Sequence, residues 1–124
     1  MNGIDTQLRV IDEVDLSADD LAVWSDTAGS SESVSFYLPT HRAGREVTQD
    51  PVRFRRLVAS AAEEVADDGL LATAARLVDD REFWARGSLG LAVLAGADGT
   101  TAIRLSEPAR ELSVVSDRFH LKPL

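Results

Sequence analysis

Large apolar side chains recur along this chain in two rhythms, and the rhythms divide it. Val34, Phe36 and Leu38 recur at every second position, the period of a strand with a buried face. Pro39 cannot donate to a sheet ladder and ends that strand. Phe54, Leu57, Val58, Ala61 and Val65 then recur at helical spacing. Asp50-Pro51 precedes them as N-cap and first-turn proline, and Gly69 is placed to close the helix. Leu70, Leu71, Ala74, Leu77, Val78 and Trp84 predict a second helix closed by Gly87, with Asp68-Gly69 allowing only a tight hairpin between the two. Leu89 to Ala95 is nearly all apolar, which predicts a strand buried on both faces. Gly96-Ala97-Asp98-Gly99 reads as a turn, Thr101 to Leu105 as its hairpin partner, and Leu112 to Val115, beyond Pro108, as a last short strand.

The N-terminal end is less regular. Leu8, Val10, Ile11, Val14 and Leu16 fit neither period, so residues 1–16 read as an arm. Ser17 is a helix cap, Asp19 and Asp20 suit the positive end of the helix dipole, and Leu21, Val23 and Trp24 give that helix an apolar side. Residues 27–33 form a small, polar connector. The predicted order is helix, strand, two helices and three strands. That order gives an α/β (α+β) domain with a central mixed sheet of about four strands, packed by the helical hairpin. Residues 1–32 are the arm and short helix, and 33–124 the domain against which they fold.

A chain of 124 residues, 44% apolar, is long enough for one real core. No apolar run reaches the roughly 18–20 residues of a membrane span. Met1 to Asp5 lacks the basic and apolar regions of a signal peptide, and zero cysteines suit a reducing compartment; the cytoplasm is the expected location. The net charge of −8 argues against nonspecific nucleic-acid binding by the whole surface. The charge is uneven, however. Residues 39–58 carry five arginines against two acids, a basic island between two acidic segments.

That island begins in Thr40-His41-Arg42-Ala43-Gly44-Arg45, where a rigid strand delivers a cationic, glycine-containing loop. Arg42, Arg45, Arg53, Arg55 and Arg56 suit phosphate oxygens, which arginine contacts in pairs; the competing reading is a solvated face balanced by the acidic segments. Arg53, Arg55 and Arg56 occupy the front of their helix and Glu63, Glu64, Asp67 and Asp68 its back, an order that opposes the helix dipole. His41 and His120 would make a general acid/base site if they met, and a small phosphoester- or nucleotide-handling enzyme is the rival reading. No nucleophile elbow or phosphate-binding glycine motif accompanies them. Glu63-Glu64, Asp67-Asp68 and Asp79-Asp80 lack metal-loop spacing and read as solvated surface, or as an acidic face for a basic protein partner. Trp24, Phe36, Phe54, Phe83 and Trp84 read as core rather than as base-stacking platforms. No metal or cofactor is expected. Phe119-His120-Leu121-Lys122-Pro123-Leu124 alternates to the last residue without closing an element, which reads as a run into a further domain, so that the chain is a fragment of a longer protein.

From Ser33 to Leu124 the pattern resembles the N-terminal domain of the archaeo-eukaryotic class I peptide-release-factor superfamily, in its bacterial branch of release-factor-like proteins. The residues that carry this are Val34 to Arg42, the helical hairpin, Leu89-Gly90-Leu91-Ala92-Val93, and Val114 to Leu124, which includes Asp117-Arg118-Phe119-His120-Leu121-Lys122-Pro123. The resemblance implies the ribosome and its RNA as partners, with a translational GTPase beside them, and two further domains. It makes Thr40, His41, Arg42, Arg45, Arg53, Arg55, Arg56, Arg118, His120 and Lys122 the candidate RNA contacts. The family's catalytic Gly-Gly-Gln is absent from this sequence, so no catalysis is expected. The stop-codon readers carry Asn-Ile-Lys-Ser at the hairpin tip, where this chain has Ala66-Asp67-Asp68-Gly69, whose acids repel mRNA phosphates. Their Tyr-x-Cys-x-x-x-Phe falls on Ser113, Val115 and Phe119, of which only the phenylalanine is kept. Ribosome rescue or hibernation is therefore the expectation, rather than stop-codon reading.

Overall fold

Strand β2 (Ser33–Pro39) is buried on both sides because it lies inside a sheet covered on both faces. The computed structural model describes residues 8–26, 32–66, 68–97 and 99–124. Its five strands are β1 (Leu8–Asp12), β2, β3 (Gly90–Gly96), β4 (Gly99–Leu105) and β5 (Leu112–Ser116), in the order β1-β4-β3-β2-β5. β1 runs parallel to β4 and every other pair is antiparallel, so the sheet is mixed, as expected, and larger by the strand that the arm contributes.

Alternation along the strands assigns the faces. Val34, Phe36, Leu38, Leu91, Val93 and Ala102 point to one side. They meet Phe54, Leu57, Val58 and Ala61 of α2 (Asp50–Ala62), Ala74 and Leu77 of α3 (Ala72–Leu77), and Phe83 of α4 (Arg81–Ala85). Phe36 and Phe54 touch edge to face at 5.4 Å between centroids, a geometry worth about 0.5–1.5 kcal/mol beyond burial. Tyr37, Ala92, Leu94, Ile103 and Leu105 point to the other side. Leu16, Trp24 of α1 (Ala18–Asp26) and the C-terminal Phe119, Leu121 and Leu124 cover them.

Several local expectations change. The predicted second helix is broken in two, because Asp80 turns its carboxylate back to accept from Phe83 N at 3.1 Å and starts α4 afresh. α2 ends at Ala62, well before Gly69, which instead sits in a 3-10 turn over Asp68–Leu71. The connection is thus a longer bridge than a tight hairpin, held where Ala66 N donates to the Glu32 carboxylate at 2.9 Å. The cap at Ser17 is as expected. Its Oγ accepts from Asp20 N at 3.1 Å while Asp20 Oδ2 accepts from Ser17 N at 3.2 Å, a reciprocal capping pair. Most of the 27–33 connector, Asp67 with the Asp68 side chain at the acidic tip, and Asp98 in the turn lie outside the described residues. No helix among the described residues is long and apolar enough to cross a membrane.

Candidate functional site

Asp50 does not cap α2 as its sequence position suggests; it turns inward and organises the start of the basic island. Only 2% exposed, it accepts from His41 N at 2.8 Å on one oxygen. On the other it meets His41 Nδ1 at 2.9 Å and Arg53 Nη1 at 3.0 Å. A carboxylate only accepts, so Nδ1 carries a ring hydrogen and donates it to Asp50. Arg53 continues the chain of contacts to Glu46 in the 3-10 turn Arg45–Gln49, where its guanidinium holds the Glu46 carboxyl below the usual carboxylate range. Loop and helix are thereby tied together.

The loop is also fixed from below. Thr40 N donates to Leu89 O at 3.0 Å and its hydroxyl to Ser88 O at 2.7 Å. Gly87 crosses so close that a Cβ there would lie 2.5 Å from His41 O and 2.8 Å from Arg42 Cα. Backbone atoms cannot yield as side-chain tips do, so only glycine fits. Beside His41 a cavity of about 10 Å³, water-sized, is bordered by Trp84, Ser88 and Arg104. Arg104 donates to Phe83 O at 3.0 Å and Arg86 O at 3.2 Å and lies 4.6 Å above the Phe83 ring. Burial, then the nearby Arg86 charge, lower its pKa. Sequence reasoning missed this arginine. Its one signal was a cation between inward-facing Ile103 and Leu105 on an alternating strand, a position that must stand on the opposite face from theirs.

The candidate residues thus divide. Thr40, His41 and Arg53 are engaged in the internal network. Arg42 and Arg45 in the loop, and Arg55 and Arg56 on α2, are exposed and form no ion pair among the described residues. His120 belongs to the opposite face of the sheet. Its N–H donates to Ser35 Oγ at 2.9 Å, its carbonyl accepts from the Tyr37 hydroxyl, and its ring stands 6.1 Å from that of Tyr37. Burial pushes the Tyr37 phenol pKa up. Arg118 and Lys122 are exposed on the same C-terminal segment, Arg118 3.6 Å from Asp117. His41 and His120 are therefore separated by the sheet and do not form one site. Among the described residues no hydroxyl is hydrogen-bonded to His41 Nε2, and no cluster of three His, Cys, Asp or Glu could hold a metal ion.

A second hollow, an open groove of about 350 Å³, lies between the 3-10 turn with the start of α2 and the α3–α4 corner. Val47, Pro51, Val78 and Trp84 line it, together with Asp79 and Arg81. Sequence periodicity gave no sign of it, since Trp84 counted as core and Asp79 as solvated surface. Comparison with known protein families gives no match, and none of the curated proteins searched matches the chain.

Proposed function

We propose that this chain is a ribosome-associated, RNA-contacting domain that acts by binding rather than by catalysis. The observation that carries the reading is the set Arg42, Arg45, Arg55 and Arg56. Four exposed arginines stand on two segments that the Glu46–Arg53–Asp50 network locks together, and no acidic side chain among the described residues neutralises them. A rigid array of unpaired guanidinium groups on an otherwise acidic molecule suits one phosphate backbone and repels polyanions elsewhere. The resemblance to release-factor N-terminal domains supports the ribosome as the source of that RNA. The acidic Ala66-Asp67-Asp68-Gly69 in place of Asn-Ile-Lys-Ser, and the loss of all but Phe119 of Tyr-x-Cys-x-x-x-Phe, favour rescue or hibernation over stop-codon reading. In this reading Arg118 and Lys122, carried by the segment that covers the other face, are a separate and lesser contact.

Sedimentation with 70S ribosomes at low salt tests it. The wild-type chain pellets with ribosomes, and the variant with Arg42, Arg45, Arg55 and Arg56 replaced by alanine stays in the supernatant. Failure of the wild type to pellet, or pelleting of both alike, overturns the proposal.

A further inference from the structure

We infer that the open groove beside the arginine-bearing loop seats one guanine of single-stranded RNA: the base against Trp84, its Watson–Crick edge on Asp79, and a phosphate on Arg81. This rests on the RNA-binding reading above and names what the RNA presents. The groove's roughly 350 Å³ suits a single nucleotide, and Val47, Pro51, Val78 and Ala85 offer apolar walls that a flat base fills without losing hydrogen bonds. Trp84 is a fixed platform. Its indole N–H donates to Leu77 O at 2.8 Å, and Phe83 at 4.9 Å and Phe54 at 5.9 Å support the ring. Aromatic platforms of this kind hold unstacked RNA bases.

The charged residues that line the groove give the choice of base. Asp79 and Arg81 have opposite charges and stand two residues apart, yet neither forms an ion pair among the described residues, and both line the groove. Two carboxylate oxygens match two adjacent donors. Of the four RNA bases only guanine presents such a pair, N1–H beside the N2 amino group, on its Watson–Crick edge. Arg81 then meets a phosphate of the same strand. Arg45, exposed in the 3-10 turn whose Val47 and Thr48 border the groove, meets the next.

Titration with uridine-rich heptamers carrying a central G, A, C or U is the test. It is read by indole fluorescence in Trp24→Phe, which leaves Trp84 as the only tryptophan. Amide exchange over residues 78–85 in the unaltered chain gives a second readout should that substitution disturb the fold. The G heptamer quenches and protects, and binds about tenfold tighter than the others. Asp79→Asn reduces that preference to threefold or less, and Arg81→Ala weakens all four heptamers alike. Equal affinity for the four bases, no protection over 78–85, or free GMP binding as tightly as the heptamer overturns the inference. If ribosome sedimentation still depends on the four arginines in that event, the guanine seat alone has failed. If sedimentation is lost as well, the RNA reading has failed with it.

Discussion

Asp50 anchors the candidate site with two oxygens and three donors, and its burial makes each contact consequential. An alanine there would leave the His41 N–H without its acceptor in a place water hardly reaches, and would release both the imidazole and Arg53. Stranding a buried donor costs about 1–3 kcal/mol, and losing a charged partner adds to it. Asp50→Ala should therefore lower unfolding stability by about 3 kcal/mol, read from the urea midpoint at constant slope. Arg53→Ala should cost less, because Asp50 keeps both His41 contacts. An Asp50→Ala midpoint within error of the wild type would mean that the network does not hold the loop. This anchoring was not legible in the sequence, where Asp50-Pro51 has the form of a cap. Local geometry favours the cap, but a tertiary partner, His41 nine residues earlier, claimed the carboxylate instead.

Among the elements, β2 and β3 were legible because they lie inside the sheet with both faces covered, which leaves them largely apolar from end to end. β1 was illegible for the opposite reason. As an edge strand it sends Leu8 to one cluster and Ile11 to the other, while Val10 is 39% exposed, so no period emerges. Polar contacts hold this arm in its place: Arg9 to Asp20 at 3.0 Å, Arg86 to Asp12 at 2.7 Å, and Glu13 accepting from Ser106 N at 2.9 Å and Ser106 Oγ at 2.7 Å. The Ser106 backbone and hydroxyl bonds hold the Glu13 carboxyl below its ordinary 4.5, and the Arg9 bond leads those that hold Asp20 below its ordinary 3.8. A carboxyl depressed on folding contributes stability that is present above its unfolded pKa and is lost as pH falls through the lower folded value. The arm should therefore loosen as the pH falls below about 4.5, the ordinary value of the Glu13 carboxyl. Glu13→Gln keeps an acceptor for Ser106 but removes the titration, so its urea midpoint should fall less steeply over that range than the wild type's. Parallel curves would show that Glu13 contributes nothing to the acid response.

For the whole molecule, the proposed RNA contact has to be reconciled with a net charge of −8. At physiological ionic strength charges more than about 8 Å apart are largely screened, so contact is decided by the charges nearest the RNA, and the repulsion from the net charge is felt chiefly at low salt. Because residues 39–58 are net basic and the segments on either side net acidic, the proposed contact is directed to the loop and the start of α2. Salt then acts in two ways. It screens the unfavourable long-range term, and it competes with the counterion release that drives each arginine–phosphate contact. The second effect dominates once the surfaces meet, with a slope of about −0.7 to −0.9 per phosphate contacted. Four exposed arginines thus predict that log K for ribosome binding falls against log salt with a slope near −3. Arg55→Ala with Arg56→Ala together should bring it to about −1.5, with little change in the unfolding midpoint because both side chains are exposed. Arg118→Ala with Lys122→Ala, on the segment that covers the opposite face, should leave the slope within about half a unit of the wild type's. Equilibrium sedimentation across 50–300 mM salt separates these cases. Equal slopes for all three proteins would place the contact elsewhere than on the loop and α2, and a greater loss in the Arg118/Lys122 pair would turn the molecule over on its RNA.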